Sequence, residues 1–213
     1  ALQHWLKEKY ATDDALRQAW DDPTVTLAGA RVFSVAEYRS QSIFSGQRGI
    51  SRKIADCREF VSISTARMLR RFGTVLKENF GRPCVIQVYY SSAIWRQVGR
   101  LAMDELSAGG IVNIVAMVSD YAPPRLVGSP GASANFCIAA ARLRNLLYVQ
   151  ELDHRTWRSQ GLSMWNYTAE ARSPAEFRAQ IIRDVGSVLA SGGYGFYYYD
   201  MFGSWYNDPD ALT

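Results

Sequence analysis

Apolar positions in this chain follow two different periods, which predict helices and strands in alternation. Between residues 51 and 80, apolar side chains recur every three or four positions, from Ile54 to Phe80, as they do in an amphipathic helix. Gly81 and Pro83 then predict its end. Short runs that are almost entirely apolar or aromatic follow, and this pattern is typical of strands buried on both faces. These runs are 84–90, 111–118, 146–150 and 194–200.

The segments between these runs predict further helices. Ser92 is a plausible cap for a helix over 93–107, and an Ala-rich helix is expected over 132–144. The sequence SPAE at 173–176 combines a cap, a proline at the first helical position and a capping-box glutamate. The first 35 residues predict two short helices, the second capped by Thr12. Strands separated by helices of this length imply βαβ units and parallel pairing.

The predicted fold class is therefore α/β, with four parallel strands arranged as a (β/α) half-barrel. A closed eight-stranded β/α barrel needs about 250 residues, and four parallel strands alone would leave two open edges. We expect a piece of a barrel, a sheet completed by a partner, or a small open sheet. Residues 1–50 are interpreted as an N-terminal helical segment and link, and 51–213 as the half-barrel, within one structural domain.

Composition and charge exclude several classes of protein. The chain is 48% apolar, which suffices for a substantial core, and no run of about 18 apolar residues predicts a membrane span. Its net charge of +4 is spread along the sequence, so no nucleic-acid partner is expected. The first residues carry charges where a signal peptide would be apolar, which favours the cytoplasm. The sequence begins without Met, so the true start is expected upstream.

Cysteine and histidine usage predicts no metal site and no cofactor. Cys57, Cys84 and Cys137 match no zinc-binding spacing, and we interpret Cys84 and Cys137 as buried small apolar residues. The chain has two histidines, which disfavours a histidine-based metal site or triad. His154 is interpreted as a loop residue.

The most informative segment is LLYVQELDHRT at 146–156, where a buried strand ends in a carboxylate. Enzymes built on β/α units place catalytic groups at the carboxyl ends of strands, so Glu151 is the leading catalytic candidate. The alternative is a structural ion pair between Glu151 and Arg155. Polar or aromatic groups also follow the other predicted strands; they include Tyr89, Tyr90, Ser119, Asp120, Tyr121 and Asp200.

The loops after the strands favour carbohydrate as the ligand. Flat aromatic rings can cover the apolar faces of sugars while charged groups bond the hydroxyls. The loop residues of these kinds are Arg125, His154, Arg155, Trp157, Trp165, Trp205 and Tyr206. Tyr197–Tyr199 are instead interpreted as wall and core residues.

Several segments together resemble a known family. LYVQELDHRT and GYGFYYYDMFGSWYNDP look like the last part of the β-galactosidase-like (family 42 type) glycoside hydrolases, which are barrels of the large retaining clan. HWLKEKYATDDALRQAW resembles the segment after strand four of that family, and SDYAPPRLVGSPG resembles the stretch after strand six. The resemblance implies that the four strands are strands five to eight of a barrel.

The resemblance also assigns roles to individual residues. Glu151 would be the catalytic nucleophile at the end of strand seven. The residues implied to line the sugar subsite are Tyr121, Arg125, Asp153, Arg155, Asp200 and Trp205, with Trp165 as a further aromatic candidate.

One departure from the family pattern limits the expected activity. Retaining hydrolysis needs a nucleophile and an acid/base carboxyl about 5–5.5 Å apart. In such barrels the acid/base glutamate ends strand four, ahead of the first residue of this sequence. Asp153 would lie beside Glu151 on the same strand, whereas Asp120 and Asp200 come from neighbouring strands and are better placed as substitutes.

Three hypotheses follow from these observations. The first is the C-terminal half of a retaining glycoside hydrolase, which carries the nucleophile but has an incomplete active site and weak or no activity alone. The second is a non-catalytic half-barrel that self-associates as a dimer through its strand edges and binds carbohydrate or has a structural role. The third is an unrelated open-sheet hydrolase, disfavoured because no nucleophile-elbow motif is present. The sugar and the linkage do not follow from the sequence.

Overall fold

The computed structural model describes residues 1–32, 48–90, 101–118, 128–129, 138–152, 154, 156–159, 171–198 and 208–212. The chain divides into two compact units. The first comprises Ala1–Met68 and Val98–Ala102, and the second comprises Leu69–Gln97 and Met103–Thr213. Within the described ranges, no helix combines the length and apolar character needed to cross a membrane.

The first unit begins with the two short helices that the sequence predicts, α1 (Leu2–Tyr10) and α2 (Asp13–Trp20). Thr12 caps α2, since its hydroxyl oxygen accepts a hydrogen bond of 3.2 Å from the backbone N–H of Ala15. The buried core of this unit is formed by Leu2, Trp5, Leu6, Leu16, Trp20 and Ala30.

Helix α3 (Arg48–Asn79) confirms the helix predicted over 51–80 and continues from the first unit into the second. In the second unit, Gly73 lies against Ile86 and Ile111. A Cβ atom at Gly73 would approach the Ile111 side chain to 2.8 Å, which is too close for a real contact. A glycine at this position therefore permits α3 to pack closely on the residues that lead into the sheet.

Four parallel strands form one sheet in the order β1-β2-β3-β4. In this sheet Glu151 lies opposite Val118 on one side and Tyr197 on the other. The predicted α/β class with a parallel sheet is confirmed. The strands are β1 (Gln87–Tyr89), β2 (Ile114–Val118), β3 (Leu147–Leu152) and β4 (Gly195–Tyr198).

Helices connect these strands in the described ranges. Helix α6 begins as predicted, with Pro174 at its first position and the Ser173 hydroxyl accepting from the N–H of Glu176 at 3.2 Å. The Glu176 carboxylate accepts from the N–H of Arg172 at 2.8 Å, one residue before the expected cap. The helices are α4 (Met103–Ser107), α5 (Ile138–Arg142), α6 (Pro174–Ala190) and α7 (Pro209–Leu212), with short 3₁₀ turns at Ala108–Gly110 and Trp157–Ser159.

The two faces of the sheet differ in burial. The face that packs on the helices contains Val88, Val115 and Tyr148, all of which are buried. Alternation along each strand places Tyr89, Glu151 and Tyr197 on the opposite face. The second face is the one on which a catalytic group would meet a ligand.

Two expectations about burial were wrong. The outer strands are not buried on both faces, because Tyr89 of β1 and Phe196 and Tyr198 of β4 are exposed. Cys84 is only half-buried, since it precedes β1 rather than lying within it. Cys57 is buried, and Cys137 lies outside the described residues.

Candidate active site

Glu151 lies one residue before the end of β3, because this strand runs two residues beyond the predicted boundary. Its side chain is 6% exposed. Its Oε2 atom accepts a hydrogen bond of 2.9 Å from the Tyr197 hydroxyl and a second from the Tyr89 hydroxyl. The two hydroxyls also contact each other. A buried carboxylate is therefore held by two neutral donors.

The two tyrosines come from opposite sides of the sheet. Tyr89 is in β1 and Tyr197 is in β4, and on a flat sheet these strands would lie roughly 14 Å apart. Their hydroxyls nevertheless meet, on the face of the sheet that bears Glu151. The site thus joins three of the four strands.

The electrostatics of the site keep the Tyr197 phenol neutral. Burial raises the pKa of Tyr197, and its hydrogen bonds with Tyr89 and Glu151 raise this pKa further. The phenol therefore keeps its proton at neutral pH and donates a hydrogen bond to the carboxylate. Such a carboxylate has a fixed orientation and can serve as a nucleophile, a base or a structural acceptor.

The opposite face of β3 gives the site a rigid support. The Tyr148 hydroxyl donates to Gln150 Oε1 at 2.8 Å, and Gln150 Nε2 donates to the carbonyl oxygen of Met117 at 2.7 Å. Because Gln150 is buried and precedes Glu151, these bonds fix the backbone of β3 against β2 just before the carboxylate.

Three residues after Glu151, His154 forms a buried pair with helix α6. His154 Nε2 lies 2.6 Å from Asp184 Oδ2, and Arg183 Nε donates to the other oxygen of Asp184 at 2.7 Å. Burial alone would raise the pKa of Asp184, but the bonds from His154 and Arg183 outweigh it and hold the pKa below its usual range. His154 lies outside helices and strands, as predicted, and this pairing ties it to helix α6.

Most of the predicted sugar contacts lie outside the described residues. Of the residues predicted for the site, Glu151 is described, whereas Arg155, its predicted ion-pair partner, is not. Trp157 packs edge-on against Phe177 of α6, with ring centroids 5.9 Å apart, and so supports the structure on the helix side. Tyr121, Arg125, Asp153, Arg155, Trp165, Asp200 and Trp205 lie outside the described residues.

Sequence reasoning missed the roles of Tyr89 and Tyr197. The sequence predicts Tyr89 as a strand-end group and Tyr197 as a wall or core residue, and it connects neither with Glu151. The available signal was their position near the ends of predicted parallel strands. Within the part of the chain that the structure describes, no cluster of three or more His, Cys, Asp or Glu side chains has the arrangement of a metal site.

Comparison with known proteins identifies the fold. No family model matches the sequence, and no curated protein matches it. Among solved structures, the chain is similar to the catalytic domain of beta-amylase from Paenibacillus polymyxa, with 12% identity and a TM-score of 0.56. The match covers 99% of this chain and 49% of that one, so this chain spans about half the length of the domain it matches.

This likeness is one of fold. The matching domain is a TIM-barrel glycoside hydrolase, and the four parallel strands with their helices correspond to part of such a barrel. The predicted partial (β/α) barrel is confirmed at this level. The narrower resemblance to family 42 is not supported by the match.

Proposed function

We propose that this chain is the nucleophile-bearing half of a retaining glycoside hydrolase, with Glu151 as the nucleophile. The observation that carries the proposal is a buried carboxylate near the carboxyl end of a parallel strand, oriented by the hydroxyls of Tyr89 and Tyr197. The likeness to part of a TIM-barrel glycoside hydrolase supports the same reaction class. Hydrogen bonds from phenols hold the attacking oxygen in one orientation without transferring a proton to it.

The proposal includes a specific division of labour. Glu151 attacks the anomeric carbon as the glycosidic C–O bond breaks, and the leaving-group oxygen takes a proton from an acid/base carboxyl. Water then hydrolyses the covalent glycosyl intermediate and releases the sugar and Glu151. The acid/base carboxyl comes from a further strand that these 213 residues do not supply, so hydrolysis by this chain alone is weak or absent. Removal of a proton donor typically costs about 10²–10⁴ in rate.

The finer part of the proposal is a β-galactosidase-like specificity of the family 42 type. It depends on the sequence resemblance of the segments around Glu151 and after β4. The residues proposed to line the sugar subsite are Tyr121, Arg125, Asp153, Arg155, Trp165, Asp200 and Trp205.

Covalent trapping tests the nucleophile without requiring the acid/base residue. A 2-deoxy-2-fluoro-galactosyl reagent with a dinitrophenolate leaving group needs no protonation to depart. We expect mass spectrometry to detect one added fluorosugar and to locate it on Glu151. A fluoroglucosyl reagent, used in parallel, tests the preference for galactose.

Two variants control the trapping experiment. Glu151→Gln should abolish the adduct. Glu105→Gln should retain it, because Glu105 pairs with Arg70 at 2.6 Å away from the site. An adduct of equal yield in Glu151→Gln, or no adduct with either sugar in a folded wild-type chain, would refute the assignment.

A second candidate function is a non-catalytic half-barrel that self-associates and binds carbohydrate. The observation that favours it is the exposure of large apolar side chains on β4 and on α3. Sugar binding that is unchanged by Glu151→Gln, together with no trapping, would favour this function over hydrolysis.

A further inference from the structure

Helix α6 carries a buried carboxylate that both of its neighbours hold by hydrogen bonds. The side chain of Asp184 is 2% exposed. Its Oδ1 atom accepts from Arg183 Nε at 2.7 Å, and its Oδ2 atom accepts from Arg183 Nη2 at 3.1 Å and lies 2.6 Å from His154 Nε2. An ionised carboxylate only accepts, so Nε2 of His154 carries the proton of this bond. Both oxygens of Asp184 are therefore bonded, and the carboxylate has one orientation.

The Arg183 guanidinium extends this set of bonds to a second segment of the chain. Its Nη1 atom donates to the Ser129 hydroxyl oxygen at 3.2 Å, while Nε and Nη2 remain on Asp184. Because the guanidinium is planar and rigid, its donors keep fixed directions relative to one another. We call the unbroken series of His154, Asp184, Arg183 and Ser129 the α6 clamp.

The α6 clamp joins two connections that follow neighbouring strands. Ser129 lies in the connection from β2 to α5, and His154 lies in the connection from β3 to α6, three residues after Glu151. Connections that leave the carboxyl ends of parallel strands start from the same edge of the sheet, which here is the edge near Glu151. The sequence of these two connections contains four of the predicted sugar contacts, namely Tyr121, Arg125, Asp153 and Arg155.

The chemistry of the clamp suits it to fixing geometry. Removal of two charges from water costs free energy, and apolar side chains of similar volume often stabilise a protein as well as a buried ion pair does. An ion pair with hydrogen bonds adds direction, since each donor must meet its acceptor within a narrow range of distance and angle. Arg183 is 19% exposed, so water competes little for these bonds.

We propose that Arg183 and Asp184 are positioning residues, which hold the connections after β2 and β3 as one unit beside Glu151. They act through Ser129 and His154, and the arrangement that they hold sets how tightly a sugar binds before Glu151 attacks it. The effect on the sugar rests on the proposed function, whereas the clamp itself depends on the contacts alone. A purely structural ion pair would stabilise the fold and leave the affinity for sugar unchanged.

The kinetics of trapping test the positioning role. The rate at which the 2-deoxy-2-fluoro-galactosyl reagent labels Glu151, measured over a range of reagent concentrations, gives a half-saturating concentration and a maximal rate. Arg183→Lys keeps the positive charge but replaces the fork by one nitrogen, which cannot bridge Asp184 and Ser129 in the same way. We expect the half-saturating concentration to rise about fivefold, with the maximal rate within about twofold of the wild-type value.

Two further variants and a control separate positioning from lost stability. His154→Leu removes a donor to Asp184 and should raise the half-saturating concentration by a similar factor, whereas His154→Gln places an amide N–H near the position of Nε2 and should restore it. Arg70→Lys is the matched control and should change neither parameter, because Arg70 pairs with Glu105 at 2.6 Å between α3 and α4. Unchanged half-saturation in folded Arg183→Lys and His154→Leu, or an equal rise in Arg70→Lys, would overturn the positioning role.

Unfolding measurements test the clamp without a sugar. The described bonds connect Ser129 with His154 through Arg183 and Asp184, so the effects of Ser129→Ala and His154→Leu should not be independent. In urea denaturation, we expect the double variant to lower the folding equilibrium constant about threefold less than the product of the single effects. A simple product would overturn the clamp. If His154→Leu does not fold, His154→Asn replaces it. If folded wild-type chain is not labelled, the proposed function fails, and this measurement still decides whether the clamp exists.

Discussion

The two units each contain a buried carboxylate, and the surroundings of the two carboxylates differ. Asp56 in the first unit is fully buried and accepts from Tyr10 at 2.6 Å and Trp20 at 2.8 Å. Lys9 and Arg52 each bring a cationic nitrogen to 3.1 Å from its other oxygen. These contacts join α1, α2 and α3 at one point.

Glu151 in the second unit receives a different set of donors. The described side chains that bond to it, Tyr89 and Tyr197, are both neutral. A carboxylate compensated by two cations is stabilised as part of the structure and is a weak nucleophile. A carboxylate held by two phenols has a fixed orientation, which attack on a sugar requires. The comparison teaches that burial alone does not distinguish a structural carboxylate from a candidate catalytic one.

Removal of Asp56 should have the largest effect on stability. Asp56→Ala leaves the hydroxyl of Tyr10 and the indole N–H of Trp20 without their acceptor, and we expect a loss of about 3 kcal/mol in the free energy of unfolding. Urea denaturation measures this loss. Glu151→Gln should cost less than about 1 kcal/mol, since the tyrosine hydroxyls keep an acceptor. If the two losses were equal, the contrast between the carboxylates would be wrong.

The second-largest loss of stability is expected at the buried pair formed by His154 and Asp184. Asp184→Asn weakens the bonds to His154 and Arg183, with an expected loss of about 2 kcal/mol at neutral pH. The pKa of Asp184 is lower in the folded than in the unfolded chain, so its stabilisation is present above about pH 4 and is lost as the pH falls further. We therefore expect the difference in the free energy of unfolding between wild type and variant to be smaller near pH 3 than at neutral pH. Urea denaturation at both pH values measures it.

Loss of one phenol should affect chemistry more than stability. Tyr197→Phe removes a hydrogen bond to the charged carboxylate, and we expect trapping at Glu151 to slow about tenfold, equivalent to about 1.4 kcal/mol. Mass spectrometry of samples quenched at successive times measures the rate of adduct formation. Tyr194→Phe is the control, because Tyr194 is exposed just before β4. Unchanged trapping in Tyr197→Phe would remove the tyrosine from the site.

The smallest change in stability is expected from the titration of Tyr10, which takes place only in alkali. Burial and its bond to Asp56 raise the pKa of Tyr10 to about 12. The folded chain holds this proton more tightly than the unfolded chain. The contribution of Tyr10 to the free energy of unfolding is therefore complete below about pH 10 and is lost as the pH rises toward 12. Tyr10→Phe should flatten the decline of stability over this interval in alkaline urea titrations. A decline as steep as that of the wild type would exclude Tyr10 as its cause.

Local sequence signals predicted much of the fold. The three-four rhythm that includes Ile54 and Phe72 located α3, and Thr12 and Ser173 marked the starts of α2 and α6. The apolar runs located all four strands, although each observed strand differs from its predicted bounds. These signals work because helix periodicity and capping depend on residues a few positions apart.

The partners of the candidate site could not be predicted in the same way. Glu151 was recognisable as a carboxylate at the end of an apolar run. Its donors, Tyr89 and Tyr197, are 62 and 46 residues away and are brought to it by the order and register of the strands. His154 likewise meets Asp184 across 30 residues.

The sequence by itself determined the elements of this protein, their parallel order and the strand that bears Glu151. Those features follow from the spacing of apolar residues and from caps, which act over single turns of helix or single strands. Only the tertiary structure decided that Asp56 is paired with two cations, that Glu151 is held by phenols and that Phe196 and Tyr198 of β4 are partly exposed. Each of these depends on which distant side chains share a face once the strands and helices have packed, and that is set by register and packing rather than by local pattern.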